Sequence, residues 1–202
     1  MKKRTLIADD HPMVRKGLKA LLAHHFENIE TAEAGSCNET MRKMMKDDYS
    51  HLILDMRLTD GTALEILPNI VNVFPGIRIM IFSLQPPDVY QRAIKNFRIK
   101  HFLSKSASED DVVCMLGKFL TNESPPAEDT GSQVADNPFS LLTARELEIL
   151  HYLLRGMRSN EIGNMLNIRN NTVSTAKSQI HAKSRTNNIR ELFDLASMHN
   201  IS

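Results

Sequence analysis

Four short apolar runs in the first half of the chain each end on a polar residue. Leu6-Ile7-Ala8 runs into Asp9 and Asp10, and Leu52-Ile53-Leu54 into Asp55. Ile79-Met80-Ile81-Phe82 runs into Ser83, and Phe102-Leu103-Ser104 into Lys105. An apolar run of this length, bounded by polar residues, suits a strand buried on both faces, as in a parallel α/β sheet. Such sheets place their ligand sites at the carboxyl ends of the strands. One aspartate at such an end is commonly a turn or capping residue. If the strands are parallel neighbours, however, their tips gather Asp9, Asp10, Asp55, Ser83 and Lys105. Paired carboxylates attract a hard divalent cation such as Mg2+. A carboxylate can also act as a covalent nucleophile, while lysine and serine neutralise and hydrogen-bond phosphoryl oxygens.

Helix-like segments separate the runs. Candidate strands are 4–9, 29–34, 51–55, 77–83 and 99–104; candidate helices are 11–24, 36–47, 62–74, 87–96 and 108–121. Within the first helix Val14, Leu18, Leu21 and Leu22 recur at helical spacing. Alternation of this kind predicts a doubly wound, five-stranded parallel sheet over residues 1–121. Residues 122–137 are rich in Pro, Ser and acids and lack aromatics, which predicts a flexible linker. Residues 138–202 predict a small all-α domain. Thr143-Ala-Arg-Glu146 is a capping-box pattern that opens a helix carrying Leu147, Leu150, Leu153 and Leu154, and Gly156 ends it. A short helix over 159–166, a turn at 167–170, a longer helix over 171–183 and a last helix over 188–199 follow. Short helix, tight turn, longer helix is a helix-turn-helix arrangement. In the longer helix Val173, Ala176 and Ile180 share one face, so Asn171, Ser174, Thr175 and Ser178 point to the opposite side.

The 202 residues carry a net charge of +1, which by itself names no partner. The distribution is more informative. Residues 1–121 hold 17 basic and 15 acidic side chains, 122–137 hold four acids and no base, and 138–202 hold eight bases and five acids. The mildly basic C-terminal piece permits nucleic-acid binding. Cys37 and Cys114 have neither metal-ligand nor redox-pair spacing and read as buried free thiols in a reducing cytoplasm. The histidines show no ligand spacing and read as surface or capping groups. The apolar run after the basic start stops at Asp9, too soon for a signal peptide, and no run is long enough to span a membrane. A cytoplasmic protein without membrane contact is expected.

Asp-Asp-His-Pro-Met-Val-Arg-Lys-Gly-Leu (9–18), Leu-Asp-Met-Arg-Leu-Thr-Asp-Gly (54–61), Ser83 and Phe102-Leu-Ser-Lys105 together resemble a response-regulator receiver domain. The resemblance implies the flavodoxin-like strand order and assigns roles. Asp55 becomes the phosphoacceptor. Asp10 binds Mg2+ directly, with Asp9 nearby and the backbone carbonyl of Arg57 as a further ligand. Lys105 pairs with the phosphoryl oxygens. Ser83 and Phe102 form a switch in which Phe102 moves from exposed to buried. Such a receiver catalyses its own Mg2+-dependent phosphorylation and is not a conventional enzyme. Four positions depart from the pattern. Ser106 stands where many receivers have proline, Arg98 and His101 where glycine is common, and Arg57 sets a cation beside the phosphoacceptor.

Leu-Thr-Ala-Arg-Glu-Leu-Glu-Ile-Leu (142–150), Gly156, Ser-Asn-Glu-Ile (159–162) and Asn-Thr-Val-Ser-Thr-Ala-Lys-Ser-Gln-Ile (171–180) resemble the LuxR-type helix-turn-helix. A receiver followed by this domain is the NarL/FixJ family, and the Thr-Val-Ser-Thr-x-Lys wording is similar to its BvgA/EvgA branch. The resemblance implies a transcription factor phosphorylated by a sensor histidine kinase and binding double-stranded DNA as a homodimer. The DNA contacts would come from Asn171, Thr172, Ser174, Thr175, Lys177, Ser178, Lys183 and Arg185. Two rival classes remain. An aspartyl-phosphate phosphohydrolase usually has a second aspartate where Arg57 stands. A purely protein-binding module would leave the helical domain without DNA.

Overall fold

The computed structural model describes residues 3–95, 97, 99–123 and 137–201. The greater part of the predicted linker and Arg98 therefore lie outside the described residues. Strands β1 (Lys3–Ala8), β2 (Ile29–Ala34), β3 (His51–Leu54), β6 (Arg78–Ser83) and β7 (His101–Ser104) form one sheet in the order β2-β1-β3-β6-β7, with every pairing parallel. This is the strand order that the receiver resemblance implies. Between β3 and β6 lies a feature the sequence reading lacks, a short antiparallel hairpin of β4 (Arg57–Leu58) and β5 (Gly61–Thr62).

Helices α1 (Pro12–His25), α2 (Cys37–Lys46), α3 (Ala63–Val73), α4 (Pro87–Lys95) and α5 (Glu109–Thr121) alternate with the strands. Their starts are set locally. The Ser36 hydroxyl accepts from the Glu39 amide, Ser108 accepts from Asp111, and Thr62 with Glu65 forms a capping box. The period of two along each strand divides the apolar side chains between the faces. Ile7, Ile53, Met80, Phe82 and Leu103 pack with Leu18 and Leu22 of α1 and with Val112, Leu116, Phe119 and Leu120 of α5. Leu6, Leu52, Leu54 and Ile81 alternate with them and are also fully buried.

A 3-10 turn over Pro138–Leu141 opens the second part, another element without a signal in the sequence reading. It buries Phe139. Helices α6 (Ala144–Leu154), α7 (Ser159–Met165), α8 (Asn170–Ser184) and α9 (Ile189–Met198) follow. The predicted Thr143–Glu146 capping box is formed, and Gly156 takes φ 77 just after α6, a backbone state that favours glycine. The chain divides into two compact units, Met1–Leu84 with Lys95–Asp129 and Gln85–Ile94 with Thr130–Ser202. Among the described residues no helix is long and apolar enough to cross a membrane.

Candidate functional site

The strand register brings the predicted edge residues together. Asp9 follows β1, and its amide donates to the Ala34 carbonyl of β2 at 3.0 Å. Asp55 follows β3, with its amide donating to the Ala8 carbonyl at 2.9 Å. Ser83 is the last residue of β6, and its carbonyl accepts from the Lys105 amide just past β7 at 3.0 Å. Each side chain is thus carried by main-chain bonds that the sheet already makes.

Asp55 is 5% exposed, Asp9 2% and Ser83 1%. The Ser83 hydroxyl donates to Asp55 Oδ1 at 2.5 Å, and Lys105 Nζ donates to Asp55 Oδ2 at 2.6 Å. The same ammonium lies 2.7 Å from Asp9 Oδ2. Burial pushes the Asp55 carboxyl above its ordinary range, and the attraction of Lys105 and the bond from Ser83 offset this only in part. Burial would lower Lys105, but the Asp55 and Asp9 carboxylates outweigh it and hold the ammonium protonated to higher pH than usual. The arrangement is a desolvated carboxylate with one cation and one hydroxyl directed at its two oxygens.

Asp9 also accepts from the His11 amide at 2.9 Å, so a turn-forming role ahead of α1 coexists with its place in the site. His11, at the N-cap position of α1 and largely exposed as a surface or capping histidine would be, also stands beside the acidic pair. Donor atoms of Asp9, Asp10, His11 and Asp55 all lie within 4.8 Å of one another. His11 is adjacent to the acidic pair, so a spacing rule built for separated ligands does not see it. Its Nδ1 is 2.6 Å from Asp10 Oδ1, yet that buried oxygen accepts no well-aligned hydrogen bond. A buried carboxylate oxygen with no well-aligned hydrogen bond, next to two further carboxylates, suits a hard cation that takes oxygen ligands, so the residues present fit Mg2+.

Among the other named residues, Phe102 is half-buried in β7, and Arg57 is half-buried at the start of β4. Ser106 follows Lys105 through a trans peptide, with its hydroxyl 2.7 Å from that of Ser104. His101 is not a polar group on the surface. It is 5% exposed, its Nε2 lies 3.0 Å from the Glu123 carbonyl, and its ring packs edge-on to Phe119.

In α8, Val173, Ala176 and Ile180 are buried as the helical spacing predicts, while Asn171, Thr172, Ser174, Thr175 and Ser178 are exposed and Lys177 is half-exposed. The Thr175 and Ser178 hydroxyls donate to carbonyls one turn back, at 2.9 and 3.1 Å. Arg185 is exposed and takes φ 55 at the end of the helix. Lys183, also predicted to lie on the DNA flank, is a third exposed. Its ammonium donates to both oxygens of Glu146, at 2.8 and 2.6 Å. Burial opposes the charge of Glu146, but Lys183 and the Thr143 cap win and hold the carboxyl below its usual range. Glu146 was legible as a cap; its second role, 37 residues away in sequence, was not.

Residues 5–116 match the response regulator receiver domain, and residues 140–196 match the bacterial regulatory proteins of the luxR family. The chain is 25% identical over 206 residues to the response regulator UvrY of Escherichia coli K12, covering 97% of this chain and 94% of that one. It is 26% identical over 212 residues to the virulence-factor regulator BvgA of Bordetella pertussis, covering both in full. The fold is also that of RcsB from Salmonella enterica serovar Typhimurium bound to promoter P1flhDC with the phosphomimetic BeF3−. There the TM-score is 0.84 at 22% identity, over 98% of this chain and 100% of RcsB.

Proposed function

The chain belongs to the NarL/FixJ family of response regulators, a receiver domain followed by a luxR-family DNA-binding domain that regulates transcription, and from that premise we propose that Asp55 is its phosphoacceptor. The observation that carries the reading is the buried Asp55 carboxylate with Ser83 on one oxygen and Lys105 on the other. The domains proposed for this scheme are 1–121 for the receiver, 122–137 for the linker and 138–202 for DNA binding.

An oxygen of Asp55 attacks the phosphorus of a sensor kinase's phosphohistidine. The P–N bond breaks, its electron pair stays on the imidazole nitrogen, and an acyl phosphate forms on Asp55. Lys105, already between Asp55 and Asp9, is in reach of the new phosphoryl oxygens. Mg2+ held by Asp10, with Asp9, Asp55 and the Arg57 carbonyl, would offset charge repulsion during this transfer. Ser83 now donates to Asp55; on phosphorylation its hydroxyl turns to a phosphoryl oxygen, and Phe102 follows inward. The receiver thus catalyses its own modification, with no turnover of a separate substrate.

The modified receiver favours a homodimer that reads paired half-sites in double-stranded DNA in the cytoplasm. The exposed residues of α8, Asn171, Thr172, Ser174, Thr175 and Ser178, meet the base edges, and Lys177 and Arg185 meet phosphates. Lys183 serves instead to hold α8 to the start of α6. Incubation with Mg2+ and acetyl phosphate is expected to give acid-labile phosphate that mass spectrometry finds on Asp55. Asp55→Asn is expected to abolish it, because an amide is a poor nucleophile. Phosphate on another residue of the wild-type chain would overturn the assignment.

A further inference from the structure

We propose that a cavity at the amino ends of β6 and β7 binds a small amphipathic carboxylate with an aromatic or branched apolar body. The cavity holds about 390 Å3, within the range of small-molecule sites, roughly 300–1,000 Å3. It lies between the end of α3, the start of β6 and the segment that leads into β7, all within the first compact unit. Phe74 closes α3 as its C-cap, and Arg78 opens β6. Parallel sheets commonly hold their ligands at the carboxyl ends of the strands. Asp55, Ser83 and Lys105 occupy that end, so this cavity belongs to no part of the phosphoacceptor site.

The lining is of two kinds. Phe74, Ile77, Phe97 and Ile99 supply apolar surface and are only half-buried, so the fold leaves them partly uncovered. Arg78 and Lys100 supply positive charge, and no aspartate or glutamate is among the described residues that line the cavity. Arg78 donates to the Leu120 carbonyl at 3.3 Å, which uses one of the five donors of a guanidinium. Among the described residues no carboxylate forms an ion pair with Arg78 or Lys100. His101 also borders the cavity, but its Nε2 is engaged with the Glu123 carbonyl and burial disfavours its charged form. The charge is therefore that of Arg78 and Lys100. An apolar body laid against the phenyl rings and isoleucines removes their surface from water. A carboxylate matches the guanidinium through two parallel N–H donors. A neutral apolar molecule leaves the cations unmatched, and an anion without a body leaves the apolar walls wet. Both kinds of lining are satisfied together only by an amphipathic acid.

The test uses the full chain with 2-naphthoate as the probe. The chain contains no tryptophan, so the probe's own fluorescence follows binding, and methyl NMR locates it. One naphthoate is expected per chain, shifting the methyl signals of Ile77 and Ile99 before those of Ile7 and Ile53 in the core. Uncharged 2-naphthamide, and acetate without the apolar body, should each bind at least about tenfold more weakly. Arg78→Met should weaken naphthoate about tenfold and leave naphthamide unchanged, because removing either partner of one pair loses the same interaction. Arg78 also holds the Leu120 carbonyl, so its melting curve is recorded. Lys100→Met changes an exposed side chain and should weaken naphthoate about threefold without moving the melting temperature. Asp55→Asn should bind naphthoate as the wild type does. Absence of naphthoate binding, equal affinity for naphthamide, or unchanged affinity in both cation variants overturns the proposal. Shifts of the same methyls that grow with protein concentration and need no probe would give this surface to a second copy of the chain, and overturn it as well.

Discussion

His51 shows how much a single buried ring can decide. It begins β3, is 2% exposed, and packs edge-on to Phe119 at 5.0 Å between ring centres. Its Nδ1 lies 2.8 Å from the Ser50 hydroxyl. Burial first, then the nearby charges of Arg78 and Lys3, push its pKa down to about 4, and the Leu120 carbonyl offsets this only partly. The unfolded chain takes up the proton near pH 6.5, whereas the folded one resists until about pH 4. Stability is therefore unaffected above pH 6.5, falls as pH drops through that window, and levels off below pH 4. The loss attributable to His51 is on the order of 2–3 kcal/mol. Urea midpoints between pH 7 and pH 4.5 would measure it, and His51→Gln should flatten the slope. His101 is also shifted down by burial, so a residual slope is expected; parallel slopes in variant and wild type would exclude His51 as the cause. Neither histidine could be placed from the sequence, because a polar residue at a strand start carries no mark of the phenyl ring that covers it.

The elements that a long periodic signal defines were legible, and the short ones were not. β1, β3, β6 and β7 stood out as apolar runs, and their polar ends converge because parallel pairing aligns them. The β4–β5 hairpin has two residues per strand, too few for any alternation to register. Yet it ties the loop after Asp55 to α2. Asp60 accepts from the amides of Cys37 at 2.5 Å and Asn38 at 3.0 Å, capping a helix that also has Ser36 as its own cap. Burial works against the charge of Asp60, but these amides prevail and hold its carboxyl below the usual range. Asp60→Ala should lower stability by about 1 kcal/mol, in line with loss of a cap, as read by chemical denaturation; an unchanged midpoint would mean that Ser36 suffices. In α8 the apolar spacing identified the buried face correctly, but spacing cannot tell a lysine that faces solvent from one that reaches another helix. Lys177→Ala should therefore weaken specific and random DNA alike and reduce the salt slope by about one. Lys183→Met should leave that slope unchanged and lower the melting temperature. With Lys183 a third exposed, the stability lost is on the order of 1 kcal/mol after solvent screening. Exchanged outcomes for the two lysines would return Lys183 to the DNA.

At the scale of the whole chain, any linkage between receiver modification and DNA binding must run in both directions. If the modified receiver tightens DNA binding by some factor, thermodynamics requires DNA to tighten the modification equilibrium by the same factor. A non-covalent mimic of the phosphoryl group makes this measurable, because acyl phosphate formation is a rate process and reciprocity holds only for binding. BeF3− with Mg2+ is such a mimic, and Ser83 and Lys105, now on the two oxygens of Asp55, are the groups that would turn to it. DNA affinity is expected to rise with BeF3− by a factor within the roughly 5- to 150-fold range typical of such coupling. BeF3− affinity, titrated at a saturating concentration of a duplex selected by the wild type from a random library and at fixed dimer concentration, should rise equally. Holding the dimer concentration constant matters, since dimerisation would otherwise add a mass-action contribution to only one titration. Asp55→Asn should remove both effects while leaving the basal DNA affinity intact, because the receiver edge is not among the residues proposed to touch DNA. A rise in DNA affinity without a matching rise in BeF3− affinity would show that the mimic acts elsewhere than at the Asp55 site.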